Sequence, residues 1–273
     1  MELHRTLTVD GRTVHYRDEG RDNPHTLVLL HGYLQSLDVW SSYVISYMNH
    51  LRVITIDLPG HGFTSTFCDI HTMDFMARVV KSVLAEAGVN RCVMVGHSMG
   101  GYVALSFASH YPQVLTGLGL INSHAFADTP DHRQQREQIC RSVQENKAAH
   151  VVKTIPELFG EASRIALSND ISYLQDQCLQ TTAESIIAAQ QGMAQRQSHI
   201  VTLQSLPVPV LFIYGKDDAR IPLELAVSGA MLPARAEIHL LDKVGHMAFM
   251  EAPGYIKPRL ANFVHTCFTA STR

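Results

Sequence analysis

Ser98 lies in Gly96–His97–Ser98–Met99–Gly100–Gly101, a serine framed by glycines. An apolar stretch precedes it and a helical pattern follows, the setting in which a serine sits on a sharp strand-to-helix turn. A side chain at Gly96 or Gly100 would clash with the neighbouring strand or helix there. The hydroxyl would also sit at a helix N-terminus, which favours negative charge. At its own pKa a serine hydroxyl is a weak nucleophile, so it needs a base, itself oriented by an acid. His246, in Val244–Gly–His–Met–Ala–Phe–Met–Glu–Ala–Pro253, is the candidate base. The candidate acid lies in Gly215–Lys–Asp–Asp–Ala–Arg–Ile–Pro222, where Asp217 and Asp218 compete. Asp218 is preferred, because the turn has left the strand end at that point. Asp217 is then a solvated or turn-capping carboxylate. The chemistry is acyl transfer, whose tetrahedral intermediate needs two donors aimed at an oxyanion. The amide of Met99 is one. The amide of Tyr33 is the second, because Gly32 lets the His31–Gly32–Tyr33 loop come close. The Tyr33 side chain either lines the substrate pocket or packs beneath the segment that covers it.

These residues need strand ends to carry them. Polar–apolar alternation predicts short strands over 6–9 and 13–17, joined by the turn Asp10–Gly11. Unbroken apolar runs predict strands over 26–30, 52–56, 92–95, 118–121, 210–214 and 237–241. Such runs belong to strands covered on both faces, which means a parallel sheet. Three- and four-residue apolar steps predict helices over 72–87, closed by Gly88, and over 100–110 and 253–267. The alternation implies an α/β fold with an open, doubly wound, mostly parallel sheet. Ligands bind such sheets at the carboxyl ends of the strands, where every motif above falls. Residues 124–204 break the rhythm: Gln, Ala, Glu and Ser dominate, with helical patches at 134–143, 171–179 and 183–193. This segment reads as a helical insertion between two core strands.

Composition narrows the rest. The chain has 273 residues, a net charge of −3, 46% hydrophobic and 17% charged residues. Disorder needs low hydrophobicity and high net charge, and nucleic-acid binding selects basic surfaces; neither fits. Five cysteines without a CxxC pair suggest free thiols, not a zinc site or a disulfide framework. The first 20 residues lack the apolar core of a signal peptide, and no run approaches the roughly 18 residues that span a bilayer. The expectation is a cytoplasmic chain with no membrane or nucleic-acid partner. No GxGxxG or GxxxxGK[ST] follows a strand, so no cofactor is expected. Sixteen histidines could suggest metal, yet those at strand ends fall into separate loops, and no metal site is expected. His31, His61 and His97 are read as residues that shape those loops.

Together these motifs resemble the α/β-hydrolase family of the esterase and lipase type. The resemblance rests on His31–Gly32, Asp57–Leu–Pro–Gly–His–Gly62, Gly96–His–Ser–Met–Gly–Gly101, Gly215–Lys–Asp–Asp218 and Gly245–His246. It implies a Ser98–His246–Asp218 triad, in the chain order of that fold, and oxyanion amides at Tyr33 and Met99. It divides the chain into a core, residues 1–123 and 205–273, and a cap, residues 124–204, which selects substrate. The implied function is a serine hydrolase that cleaves carboxylic esters of small, partly apolar substrates. The same triad also serves lactonases, carbon–carbon bond hydrolases, acyltransferases, lyases and receptors that keep it. Dehalogenases and epoxide hydrolases of this fold carry Asp at the elbow, so Ser98 argues against both. Carbon–carbon hydrolases usually carry Trp after the catalytic His, where this chain has Met247. The stretch 192–196 resembles that of enol-lactonases and small carboxylesterases. Its Arg196 would pair with a substrate carboxylate or form a salt bridge at the cap base, and Met247 would contact substrate.

Overall fold

The computed structural model describes residues 4–270. Eight strands form one sheet in the order β1-β2-β4-β3-β5-β6-β7-β8. They are β1 (Arg5–Val9), β2 (Arg12–Glu19), β3 (Thr26–Leu30), β4 (Arg52–Ile56), β5 (Cys92–His97), β6 (Leu115–Ile121), β7 (Val210–Gly215) and β8 (Ala236–Leu241). The β1–β2 hairpin and the β2–β4 pair are antiparallel; all other pairs are parallel. The chain goes from β3 outward to β4, then back past β3 to β5. This reversal falls at the carboxyl ends of β3 and β5, where His31 and Ser98 lie, the place at which sheets of this kind bind ligands.

The unbroken apolar runs have a simple cause. Strand side chains alternate between faces, and here both faces are covered. Leu27, Leu29, Val53, Val93 and Val95 pack with Trp40, Tyr43, Phe249 and Phe263. Val28, Leu30, Ile54, Ile56 and Met94 pack with Met76, Val80, Val103 and Phe107 on the other side. Helix α2 (Met73–Glu86) starts at Thr72, whose side chain accepts from the Phe75 amide, a cap that contributes about 1 kcal/mol. It ends before Gly88, whose φ of +67° suits glycine. Helix α3 (Met99–His110) follows Ser98, and α11 (Pro253–Ala270) closes the chain. Three helices of the core have no counterpart in the sequence expectations: α1 (Ser41–Tyr47), α9 (Leu223–Ala230) and α10 (Ala248–Glu251). All are eight residues or shorter, too short to show a period. Among the described residues, no helix is long and apolar enough to cross a membrane.

Between β6 and β7 lie α4 (Pro130–Glu157), α5 (Glu161–Ala166), α6 (Ser168–Gln180), α7 (Ala183–Ala194) and α8 (Ile200–Ser205). Helix α4 breaks at Asn146, whose φ of −156° and ψ of 88° leave the helical region. The Asn146 side chain accepts from the Ala149 amide at 2.9 Å and so restarts the helix as an N-cap does. Lys147 next to it donates to the carbonyls of Leu179 and Thr181, which ties the break to the end of α6. The short α8 packs on α3 through the buried Leu203.

Helix α7 rests on the core without clearance. The His71 amide donates to Ala188 O at 3.0 Å, and a Cβ on Gly192 would fall 1.7 Å from His71 O. Gly to Ala inside an exposed helix usually gains about 1 kcal/mol. At Gly192 the sign reverses, since the obstacle is backbone. Gly192→Ala is expected to cost about 1–3 kcal/mol, with Tm falling about 2–4 °C for each kcal/mol. Calorimetry finding Tm unchanged or raised would mean that α7 does not press on this strand-end loop.

Candidate active site

Ser98 follows β5 with φ 51° and ψ −116°, a strained backbone for a residue with a Cβ. The surroundings hold it there. Its amide donates to Ile121 O at 3.0 Å, and its carbonyl accepts from the Gly101 amide at 2.9 Å and from Ser123 Oγ at 2.8 Å. The flanking glycines are required by close approach: a Cβ on Gly96 would lie 2.2 Å from Gly100 O, and one on Gly100 would lie 2.5 Å from His31 O.

His246 Nε2 is 2.9 Å from Ser98 Oγ, and its Nδ1 is 2.8 Å from Asp218 Oδ2. A proton on Nδ1 donated to the carboxylate leaves Nε2 as an acceptor for the serine hydroxyl. Asp218 Oδ2 also accepts from Asn122 Nδ2 at 2.8 Å. Its Oδ1 accepts from the amides of Arg220 at 2.7 Å and Ile221 at 3.1 Å. Burial pushes the Asp218 carboxyl pKa up, but His246, Asn122 and the Arg220 amide together outweigh it and hold the pKa below the usual carboxylate value. Asp217 is exposed, with its amide on Val244 O.

Of the oxyanion candidates, Met99 directly follows Ser98 and Tyr33 lies on the loop after β3. Met99 is the first residue of α3, so its amide has no intrahelical acceptor. The Tyr33 loop is shaped by Gln35, whose Oε1 accepts from the Gly32 amide at 2.9 Å. A Cβ on Gly32 would lie 2.7 Å from His97 Nδ1, so glycine is needed there too. His97 is fully buried and donates from Nε2 to His246 O at 2.8 Å. Burial, then the neighbouring His246, lower its pKa to about 3. His31 accepts the Leu58 amide at 2.9 Å, which ties its loop to the one after β4, and His61 Nδ1 lies 3.1 Å from Pro59 O within its own loop. Asp57 accepts from the amides of Leu37 at 2.7 Å and Phe63 at 3.0 Å and lies 2.6 Å from His15 Nδ1, which ties three segments together.

Two expected substrate contacts need correcting. Met247 has no exposed surface, and its sulfur accepts from Gln35 Nε2 at 3.3 Å, so it packs behind the site. Arg196 pairs with Asp128 Oδ1 at 2.6 Å, donates to Phe126 O and Met193 O, and lies over the Tyr102 ring at 4.1 Å. It is 7% exposed, in the salt bridge of its second reading and not in an open pocket. Tyr33 faces the insertion, with its hydroxyl 3.4 Å from His150 Nε2 on α4. Burial raises the Tyr33 pKa, so the hydroxyl stays protonated. Sequence reasoning assigned no role to Asn122, Gln35 or Glu251. The position of Asn122 directly after a strand end was the available signal for the first; the other two gave none.

The model of the alpha/beta hydrolase fold family matches residues 25–253. The chain belongs to this family. This hydrolase is 28% identical over 272 residues to a 2-hydroxy-6-oxononadienedioate/2-hydroxy-6-oxononatrienedioate hydrolase of Paraburkholderia phymatum, covering 92% of this chain and 90% of that one. It superposes on a thermophilic esterase from Thermogutta terrifontis with a TM-score of 0.89 at 25% identity, covering 97% of this chain and 98% of that chain. An enol-lactonase from Burkholderia xenovorans shares the fold with a TM-score of 0.88 at 19% identity, over 96% of this hydrolase and all of that chain.

Proposed function

We propose that this hydrolase cleaves carboxylic esters of small, partly apolar molecules through an acyl-enzyme on Ser98. The observation that carries this reading is the continuous Ser98–His246–Asp218 chain, at 2.9 and 2.8 Å, on a strained elbow. His246 takes the proton as Ser98 attacks the carbonyl. The amides of Tyr33 and Met99 receive the oxyanion. The leaving alcohol takes the proton from His246, and water activated by the same ring then releases the acid. Asp218 fixes the tautomer and stabilises the imidazolium. Residues 124–204 act as the cap over this site, and residues 1–123 and 205–273 form the core.

A second reading has its own support. The relative from Paraburkholderia phymatum is named as a hydrolase of an oxo-diacid, so carbon–carbon bond cleavage is the alternative. One experiment separates these readings. The protein is offered p-nitrophenyl esters of increasing acyl length, simple lactones and vinylogous diketones. Ester turnover well above the others supports the proposal; a diketone as sole substrate overturns it. Labelling of Ser98 by a fluorophosphonate probe without multiple turnovers of any substrate would indicate a receptor that keeps the triad.

A further inference from the structure

Glu251 holds three backbone amides around His246 with one carboxylate. It accepts from the Gly245 amide at 3.0 Å through both oxygens, from the Met247 amide at 3.2 Å through Oε1, and from the Gly160 amide at 2.9 Å through Oε2. Two of these amides flank His246. The third belongs to the segment that ends α4. That segment also holds the histidine directly, since the His246 amide donates to Leu158 O at 2.7 Å. The two strands of backbone touch: a Cβ on Gly245 would fall 2.3 Å from Gly160 N, and one on Gly160 would fall 3.0 Å from Gly245 N. The His97 ring completes the support by donating to His246 O. The backbone of residues 245–247 thus hangs between Glu251, His97 and residues 158–160, which arrive from the inserted helices.

We infer that Glu251 is a positioning residue for His246, and that residues 158–160 share this task. The inference rests on the serine-hydrolase reading above. Amides that donate to a carboxylate form charge-assisted bonds, stronger than bonds between neutral groups. Glutamine keeps the shape of Glu251 but replaces one acceptor oxygen by an NH2 group, which meets an N–H donor and cannot accept from it. Either the Met247 or the Gly160 amide then loses its acceptor. Aspartate keeps the charge but is one methylene too short to span both sides. Each change lets the imidazole drift from Ser98, and a misplacement of about 1 Å costs on the order of 100-fold in rate.

The test compares wild type, Glu251→Gln and Glu251→Asp. The measurements are kcat and KM on a p-nitrophenyl ester, the rate of Ser98 labelling by a fluorophosphonate, and the low-field NMR signal of the His246 Nδ1 proton on Asp218. The expected result is kcat and labelling rate down about 10- to 100-fold in both variants, with KM within about twofold and the low-field signal moved or lost. Melting curves establish that each variant is folded at the assay temperature; if Glu251→Gln is not, Glu251→Asp carries the comparison. Folded variants that label at the wild-type rate with an unmoved proton signal overturn the inference. A wild-type protein that neither labels nor turns over overturns the serine-hydrolase reading itself, a separate outcome read from a separate sample.

Discussion

Ser98→Ala will lower kcat/KM on a p-nitrophenyl short-chain ester by roughly 10³-fold or more. Alanine keeps the Cβ and therefore the strained φ of 51°, so the elbow and the amides around it remain as they are. What is lost is the Oγ that His246 Nε2 meets at 2.9 Å. Without it no acyl-enzyme forms, and the residual rate comes from binding and the oxyanion donors alone. The loss should appear in kcat, with KM nearly unchanged and fluorophosphonate labelling abolished. Activity equal to wild type would mean that Ser98 is not the nucleophile, whatever its geometry.

Acid will unfold this protein well above the carboxylate range. Burial lowers the pKa of His61, His97 and His124 to about 3, with neighbouring charges and rings adding to the effect. In the unfolded chain the same rings titrate near 6.5. Between these values the unfolded state binds more protons, so stability rises with pH there and is lost as pH falls below about 6.5. At pH 5 each ring contributes a loss of about 2 kcal/mol relative to neutral pH. Three such losses rival the net stability of an ordinary domain, about 5–15 kcal/mol. Asp218 acts with the same sign but in a lower window. Its folded pKa is depressed below 3.8, so its contribution is present above that value and lost as pH falls through the folded one. Denaturant melts at pH 7.5, 6 and 5 should show midpoints dropping steeply across that interval. A flat profile would mean that these rings take up protons in place.

Much of the core was legible because its signals are local. Strands β3 and β4 coincide with the apolar runs, since burial on both faces forces an unbroken pattern. Ser98 and Asp218 were readable from glycines and a proline at fixed offsets, which mark turns. What escaped depends on contacts between distant segments. Asn122 matters because β6 brings it to Asp218, 96 positions away. Glu251 was missed because Gly160, just after α4, comes to it from 91 positions earlier. The patch expected at 134–143 became a 28-residue helix with a break, and no periodicity marks Asn146 as a restart. Arg196 had two readings because its partner, Asp128, lies 68 positions away and only folding brings them together.

The carbonyl of Leu158 on the amide of His246 also bears on how such enzymes could be recombined. Should residues 124–204 select substrate as proposed, they would invite exchange as a cassette, with one relative's specificity grafted onto another's core. Here the cassette would carry part of the scaffold of the histidine with it. A graft spanning residues 124–204 transplants that carbonyl and the Gly160 amide, so it would alter turnover as well as selectivity. A graft that leaves residues 158–160 in place separates the two.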